Sequence, residues 1–200
     1  MSPSSAPIGT DGKARCAWLH DDSLMLAYHD EEWGVPERDD RALYEKLVLD
    51  GAQAGLSWKT ILHRREGYRR AFRGFQPDKI ARWGERQIER LLADQGIIRN
   101  RQKVRSAIAN ARAFLAVQDE LGSFAGFVWG FVDSKPIVNR WKSLAQVPPQ
   151  TPLSETVSKE LVRRGFSFVG PTIVYAYMQA IGMINDHVTK CHRWREVQEI

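Results

Sequence analysis

The segment LLADQGIIRNRQKVRSAIANA, Leu91 to Ala111, decides the fold. Apolar residues at helical spacing stand on both sides of a short connection, QGIIRN, and the second run is strongly basic. This pattern predicts two helices, Gln87 to Asp94 and Arg101 to about Val117, turning tightly at Gly96. A glycine there permits the positive φ that such a turn needs. Amides exposed at the turn and at the start of the second helix can grip a phosphate. That is the physics of a helix-hairpin-helix element over about 87–115, which holds a duplex backbone without reading its bases. An ordinary αα-hairpin is the alternative, and the lack of a second glycine leaves both readings open.

Outward from this segment the periodicity stays helical. A short helix fits Ser23 to His29, and a longer one fits Asp39 to about Ala54 with Leu43, Leu47 and Val48 facing inward. Ser57 is placed to cap a helix that turns Trp58, Ile61 and Leu62 inward, and Pro77 suits a first helical position. Two later helices fit Ser154 to Arg164 and Pro171 to Met183. Strand-like alternation is scarce, so the expected fold is all-α. A single helical domain over 15–195 is expected, with loose tails at 1–14 and 196–200.

Charge narrows the partner. The chain carries a formal net charge of +5 over 200 residues, unevenly spread. Cys16 to Asp50 holds ten acidic side chains against Arg38, Arg41 and Lys46, whereas Ile97 to Arg112 holds Arg99, Arg101, Lys103, Arg105 and Arg112 with no acid. Such a stripe suits a phosphate backbone, although a solvated helix face has the same composition. No apolar run reaches membrane-spanning length, and the first fourteen residues have no apolar centre that would mark a secretory signal. A cytoplasmic location is the expectation by elimination.

Several blocks together resemble the 3-methyladenine DNA glycosylase I family of the helix-hairpin-helix glycosylases. They are RCAW (15–18), AYHDEEWGVP (27–36), GAQAGLSW (51–58), GIIRNRQK (96–103), FVWGFV (127–132), RGFSFVGPTIVYAYMQAIGMINDH (164–187) and Cys191, in family order. The resemblance implies an enzyme that lifts an alkylated purine, N3-methyladenine or a relative, from double-stranded DNA. It would hydrolyse the glycosidic bond and leave an abasic site without strand cleavage. A bacterial protein working at the nucleoid is implied, and one lesion pocket per chain needs only a monomer.

His187 and Cys191 stand four apart, one helical turn, so they share a face if that segment is helical. With Cys16 and His29 they make a Cys2His2 set of a type that suits tetrahedral zinc. Spacing alone leaves buried cysteine and surface histidine as the commoner outcomes. The resemblance implies a structural zinc at these four positions, stapling the chain ends; His192 is a competing ligand.

The resemblance also implies a base pocket lined by Tyr28 and Trp58, with Trp18, Trp33 and Met25 nearby, because an electron-poor cationic purine stacks well on aromatic faces. Gly55 and Leu56 match a segment that enters the duplex gap, and Gly96, Ile97, Arg99, Arg101 and Lys103 match the DNA-gripping hairpin. Two positions depart from the family pattern. Asp50 stands where a glutamate is expected to read the amino-bearing edge of the base, and it is shorter by one methylene, ~1.5 Å. Met25 replaces a tyrosine, losing a hydroxyl and a flat π-face. Asp50 is the candidate catalytic group, acting on nearby positive charge. Asp119 and Asp133 lie downstream of the hairpin, outside the usual catalytic motif. The alternatives kept open are a DNA-damage binder without excision, a glycosylase of altered lesion preference, and a small helical interaction protein.

Overall fold

The computed structural model describes residues 7–19 and 22–200. Its helices are α1 (Ser23–Glu31), α2 (Asp40–Gln53), α3 (Trp58–Leu62), α4 (Arg65–Ala71), α5 (Pro77–Ile80), α6 (Glu85–Ala93), α7 (Arg101–Leu121), α8 (Phe124–Gly130), α9 (Pro152–Arg163), α10 (Pro171–Ala180) and α11 (Arg193–Glu196). None of them is long and apolar enough to cross a membrane.

Side-chain caps start the helices that matter for the site. The Asp39 carboxylate accepts from the Ala42 amide at α2, Ser57 Oγ accepts from the Thr60 amide at α3, and Asn100 Oδ1 accepts from the Lys103 amide at α7. Each satisfies a donor that the first helical turn leaves open. Helix α7 buries Val104, Ala107, Ile108, Ala111 and Phe114, the spacing of a single helical face. It packs against α2, α5, α6 and α8, while α10 packs on α2 and α9.

Two hydrophobic clusters result. The larger joins α2 and α7 to α4, α6, α8, α9 and α10; the smaller gathers Cys16, Met25, Tyr28, Trp33, Leu62, Val188 and Cys191. Trp58 packs against both, so the seam between the clusters runs past its ring.

Several expectations are corrected. The chain is not purely helical: β1 (Ile137–Val138) pairs in parallel with β2 (Ile184–Asn185). Helix α10 stops at Ala180, short of Met183, because Gly182 turns with φ +72° where a Cβ would lie 2.4 Å from the Val35 backbone. Helices α4, α8 and α11 are too short to show a clear period in the sequence. Of the N-terminal tail, residues 1–6 lie outside the described residues. Residues 9–13 form a turn tied down by Arg15, which bonds to Asp11 and Asp30, and Ile8 bridges Ala14. Near the other end Val197 is buried.

The hairpin glycine is also used differently from the expectation. Gly96 is not among the residues with positive φ. It is glycine because α4 crosses the turn there: a Cβ on Gly67 would lie 2.2 Å from the Gly96 carbonyl oxygen, and a Cβ on Gly96 3.3 Å from Gly67 Cα. A Gly67→Ala substitution is therefore expected to push the hairpin off α4 and to destabilise the fold by about 1–3 kcal/mol, the usual cost of overpacking. Urea unfolding checks this; an unchanged midpoint would show that the two backbones part freely.

Candidate active site

A cavity of about 390 Å³ opens at the seam, and Trp18, Met25, Tyr28, Trp33, Asp50 and Trp58 all line it. Its volume falls in the ~300–1,000 Å³ range of small-molecule sites. The aromatic walls form two pairs. Tyr28 and Trp58 lie 5.0 Å apart between ring centroids with planes tilted by 46°, and Trp18 meets Trp33 edge-on at 5.3 Å. Helix α1 supplies Met25 and Tyr28, α2 supplies Asp50 from its last turn, and α3 presents Trp58 from its first position.

Asp50 is 2% exposed, and its Oδ2 has no hydrogen-bond partner. Trp58 Nε1, a buried donor on the same cavity, is likewise unpaired. An unsatisfied buried polar atom costs about 1–3 kcal/mol, and two at one cavity point to a ligand that supplies the missing partners. Burial pushes the Asp50 carboxyl up to about 8, with Lys46 one turn earlier on α2 pulling weakly the other way. The free protein thus holds Asp50 protonated at neutral pH.

The sequence reading missed Asp186. It lines the same cavity at 1% exposure. Asn139 Nδ2 and Trp141 Nε1 donate to its Oδ1 at 2.7 and 2.6 Å, and Tyr175 Oη and Gln179 Nε2 donate to its Oδ2. The β1–β2 pairing brings Asn139 beside Asp186 across 47 residues. The only signal in the sequence was an acid set in the apolar run IGMIND. Asp119 and Asp133, by contrast, are exposed and away from the cavity.

At the rim, Gly55 turns with φ +75° and Leu56 is 40% exposed, an apolar side chain held out beside the cavity. The hairpin residues divide. Arg99 is exposed and, among the described residues, unpaired. The Gly96 amide is used by Asp94 Oδ1 at 2.7 Å, and Ile97 is 3% exposed, part of the larger core. Arg101 pairs with Glu89 and Glu85, and Arg105 with Glu85, so α6 partly neutralises the stripe that looked free of acids. Lys103 is turned inward, its Nζ donating to the Ala52 and Ala54 carbonyls at 2.8 and 2.6 Å. The Ala52 carbonyl in the last turn of α2 and the Ala54 carbonyl at its cap, both without helical amide partners, draw it there.

Cys16, His29, His187 and Cys191 are all buried, with their ligand atoms within 4.8 Å of one another. The other imidazole nitrogens are engaged: His29 Nδ1 lies 2.7 Å from Asp30 Oδ1, and His187 Nε2 lies 3.0 Å from the Trp33 carbonyl. Arg15 in turn holds Asp30. Such outer contacts aim His29 Nε2 and His187 Nδ1 at the centre, as in metal sites generally. His192 stands outside the four and bonds to the Ala14 carbonyl. The donor set matches a tetrahedral ion in number, type and spacing.

Helices gathered round an aromatic cavity with an unpaired acid suit a small ring bound inside the protein, and the solved structures that share this fold with the chain are DNA glycosylases. The chain belongs to the methyladenine glycosylase family, whose model matches residues 18–194. It is 49% identical over 177 residues to DNA-3-methyladenine glycosylase 1 of Escherichia coli, covering 88% of this chain and 95% of that one. It superposes with a TM-score of 0.87 on a crystal structure of 3-methyladenine DNA glycosylase I at 52% identity, covering 89% of this chain and 98% of that chain. The Staphylococcus aureus enzyme, solved for the structural basis of its 3-methyladenine recognition, also gives a TM-score of 0.87 at 34% identity, over 89% of this chain and 95% of that chain.

The raised Asp50 value sets a pH dependence. Between its ordinary value of 3.8 and about 8 the folded protein holds a proton that the unfolded chain has lost. Stability therefore falls as pH rises through that window. Asp50→Asn removes the titration, so its melting temperature is expected to exceed the parent's by several degrees at pH 8 and to converge with it near pH 4. An offset independent of pH would show that burial does not hold this proton.

Proposed function

We propose that this chain excises N3-methyladenine, or a closely related alkylpurine, from double-stranded DNA by hydrolysis of the N-glycosidic bond. The observation that carries the reading is the cavity itself: aromatic walls with a buried, unpaired carboxyl at Asp50. A cationic purine held against the aromatic wall that Tyr28 and Trp58 form draws Asp50 into its carboxylate form, because the opposite charge lowers the carboxyl pKa. Normal adenine offers no such charge, so the same group discriminates against it. The positive charge already makes the base a good leaving group, and the protein's part is to hold it extruded and oriented.

The exposed Leu56 on its glycine turn is suited to fill the gap left by the base and to offset part of the unstacking cost, a few kcal/mol. Arg99 and the α6–α7 hairpin, read as a helix-hairpin-helix element, would hold the backbone alongside. Lys59, the lysine at the cavity wall, is half-exposed and ion-paired with Asp22 at 2.9 Å, so it lacks the desolvated or cation-flanked setting that activates a Schiff-base amine. That supports hydrolysis without strand cleavage. The four-residue cluster is read as a structural zinc site, in which Cys16, His29, His187 and Cys191 would fill a tetrahedral ion and join the two ends of the chain.

Incubating the protein with methylated duplex DNA and separating the released bases tests the reading. Free 3-methyladenine is expected, with Asp50→Asn slower by about 10–100-fold, the worth of one charged hydrogen bond. Tight binding to methylated duplex with no base released would instead mark a damage binder. For the cluster, metal analysis is expected to find about one zinc per chain, lost in Cys191→Ser together with several degrees of melting temperature. A metal-free protein of unchanged stability would refute the zinc reading.

A further inference from the structure

The end of α2 poses a local problem. It carries Asp50 in its last turn and leads directly into the Gly55–Leu56 rim, yet no basic residue of its own stands in that turn. The chain leaves the helix at Ala54 with ψ 117°, so the last carbonyls cannot find helical partners. Two are served locally: the Ala54 amide donates to the Gly51 carbonyl and the Leu56 amide to the Gln53 carbonyl. The Ala52 and Ala54 carbonyls both accept from one group, Lys103 Nζ, which reaches them across 51 and 49 residues of sequence.

We propose that Lys103 is a positioning residue of the cavity, a clamp by which α7 fixes the end of α2 and so holds Asp50 and Leu56 in register. The proposal rests on the excision reading for its consequence, but the clamp itself is visible in the free protein. Lys103 sits in the first turn of α7, where its own amide is held by the Asn100 cap at 3.1 Å, so its backbone belongs to the hairpin. Its side chain runs beside Val48, Ala52 and Val104, half-buried, and its cationic end meets the negative pole of α2. Burial lowers the Lys103 pKa, the mark of an ammonium taken from water and given carbonyls in exchange. One side chain thus ties the element that faces the DNA backbone to the wall that receives the base. A small tilt at that wall is costly, because misplacement by ~1 Å can slow a reaction about 100-fold.

A phosphate contact and a clamp predict opposite results for Lys103→Met, which keeps the stem and removes the donors. For a clamp, amide exchange over residues 52–57 of the free protein speeds up. Affinity for undamaged duplex keeps its salt dependence, and single-turnover excision falls by about 10–100-fold. Lys103→Gln, which retains a donor, is expected to fall between parent and Met variant and serves if the Met variant folds poorly. Unchanged exchange, with weaker binding to every duplex and a salt slope reduced by about one, would make Lys103 a phosphate ligand and overturn the clamp. If the parent protein itself releases no base, the excision reading fails, while the exchange measurement still decides for or against the clamp.

Discussion

A carboxyl group sealed from water without a partner is expensive, and Asp50 imposes that expense at the wall of the cavity. Burial alone would favour its replacement by an apolar residue. On the proposed excision reading the acid is intelligible, because an arriving cation would restore the missing interaction and take the carboxyl back to its ionised form. The surrounding structure serves this condition. Tyr28 and Trp58 keep the walls apolar, the Met25 side chain closes one side, and Asp186, with every acceptor position taken by Asn139, Trp141, Tyr175 and Gln179, is a fixed neighbour.

The cavity lies where two cores fail to merge. The smaller cluster could not stand by itself: its elements are a short helix, a loop from the start of the chain and a loop from its end. Cys16, His29, His187 and Cys191, contributed by those pieces, meet in its centre. Because His29 follows Tyr28 and His187 follows Asp186, the cluster and the cavity use adjacent residues of the same segments.

Local charge counts misjudged the basic stripe. Arg101 and Arg105 look free along the chain, yet Glu85 and Glu89 on the preceding helix meet them. Lys103 looks like a third phosphate ligand and is instead turned toward α2. A linear reading sees which charges share a helix but not which helix ends lie opposite them. Gly96 shows the same limit for backbone: its residue type marked the turn, but close approach of Gly67 explains it, not a left-handed φ.

The sequence by itself determined the longer helical periods, the cap at Ser57, the connection at 95–100, the family and six residues of the cavity wall, Trp18, Met25, Tyr28, Trp33, Asp50 and Trp58. Those signals are local or are carried by whole ordered blocks, so they survive without coordinates. Tertiary structure alone decided that Asp50 is unpaired, that Asp186 is saturated through the β1–β2 contact, and that Lys103 faces inward. The partners of Asp186 and Lys103 lie 7 to 51 residues away in the chain. Hydrogen bonding and burial are properties of neighbours in space, and the chain order does not name those neighbours.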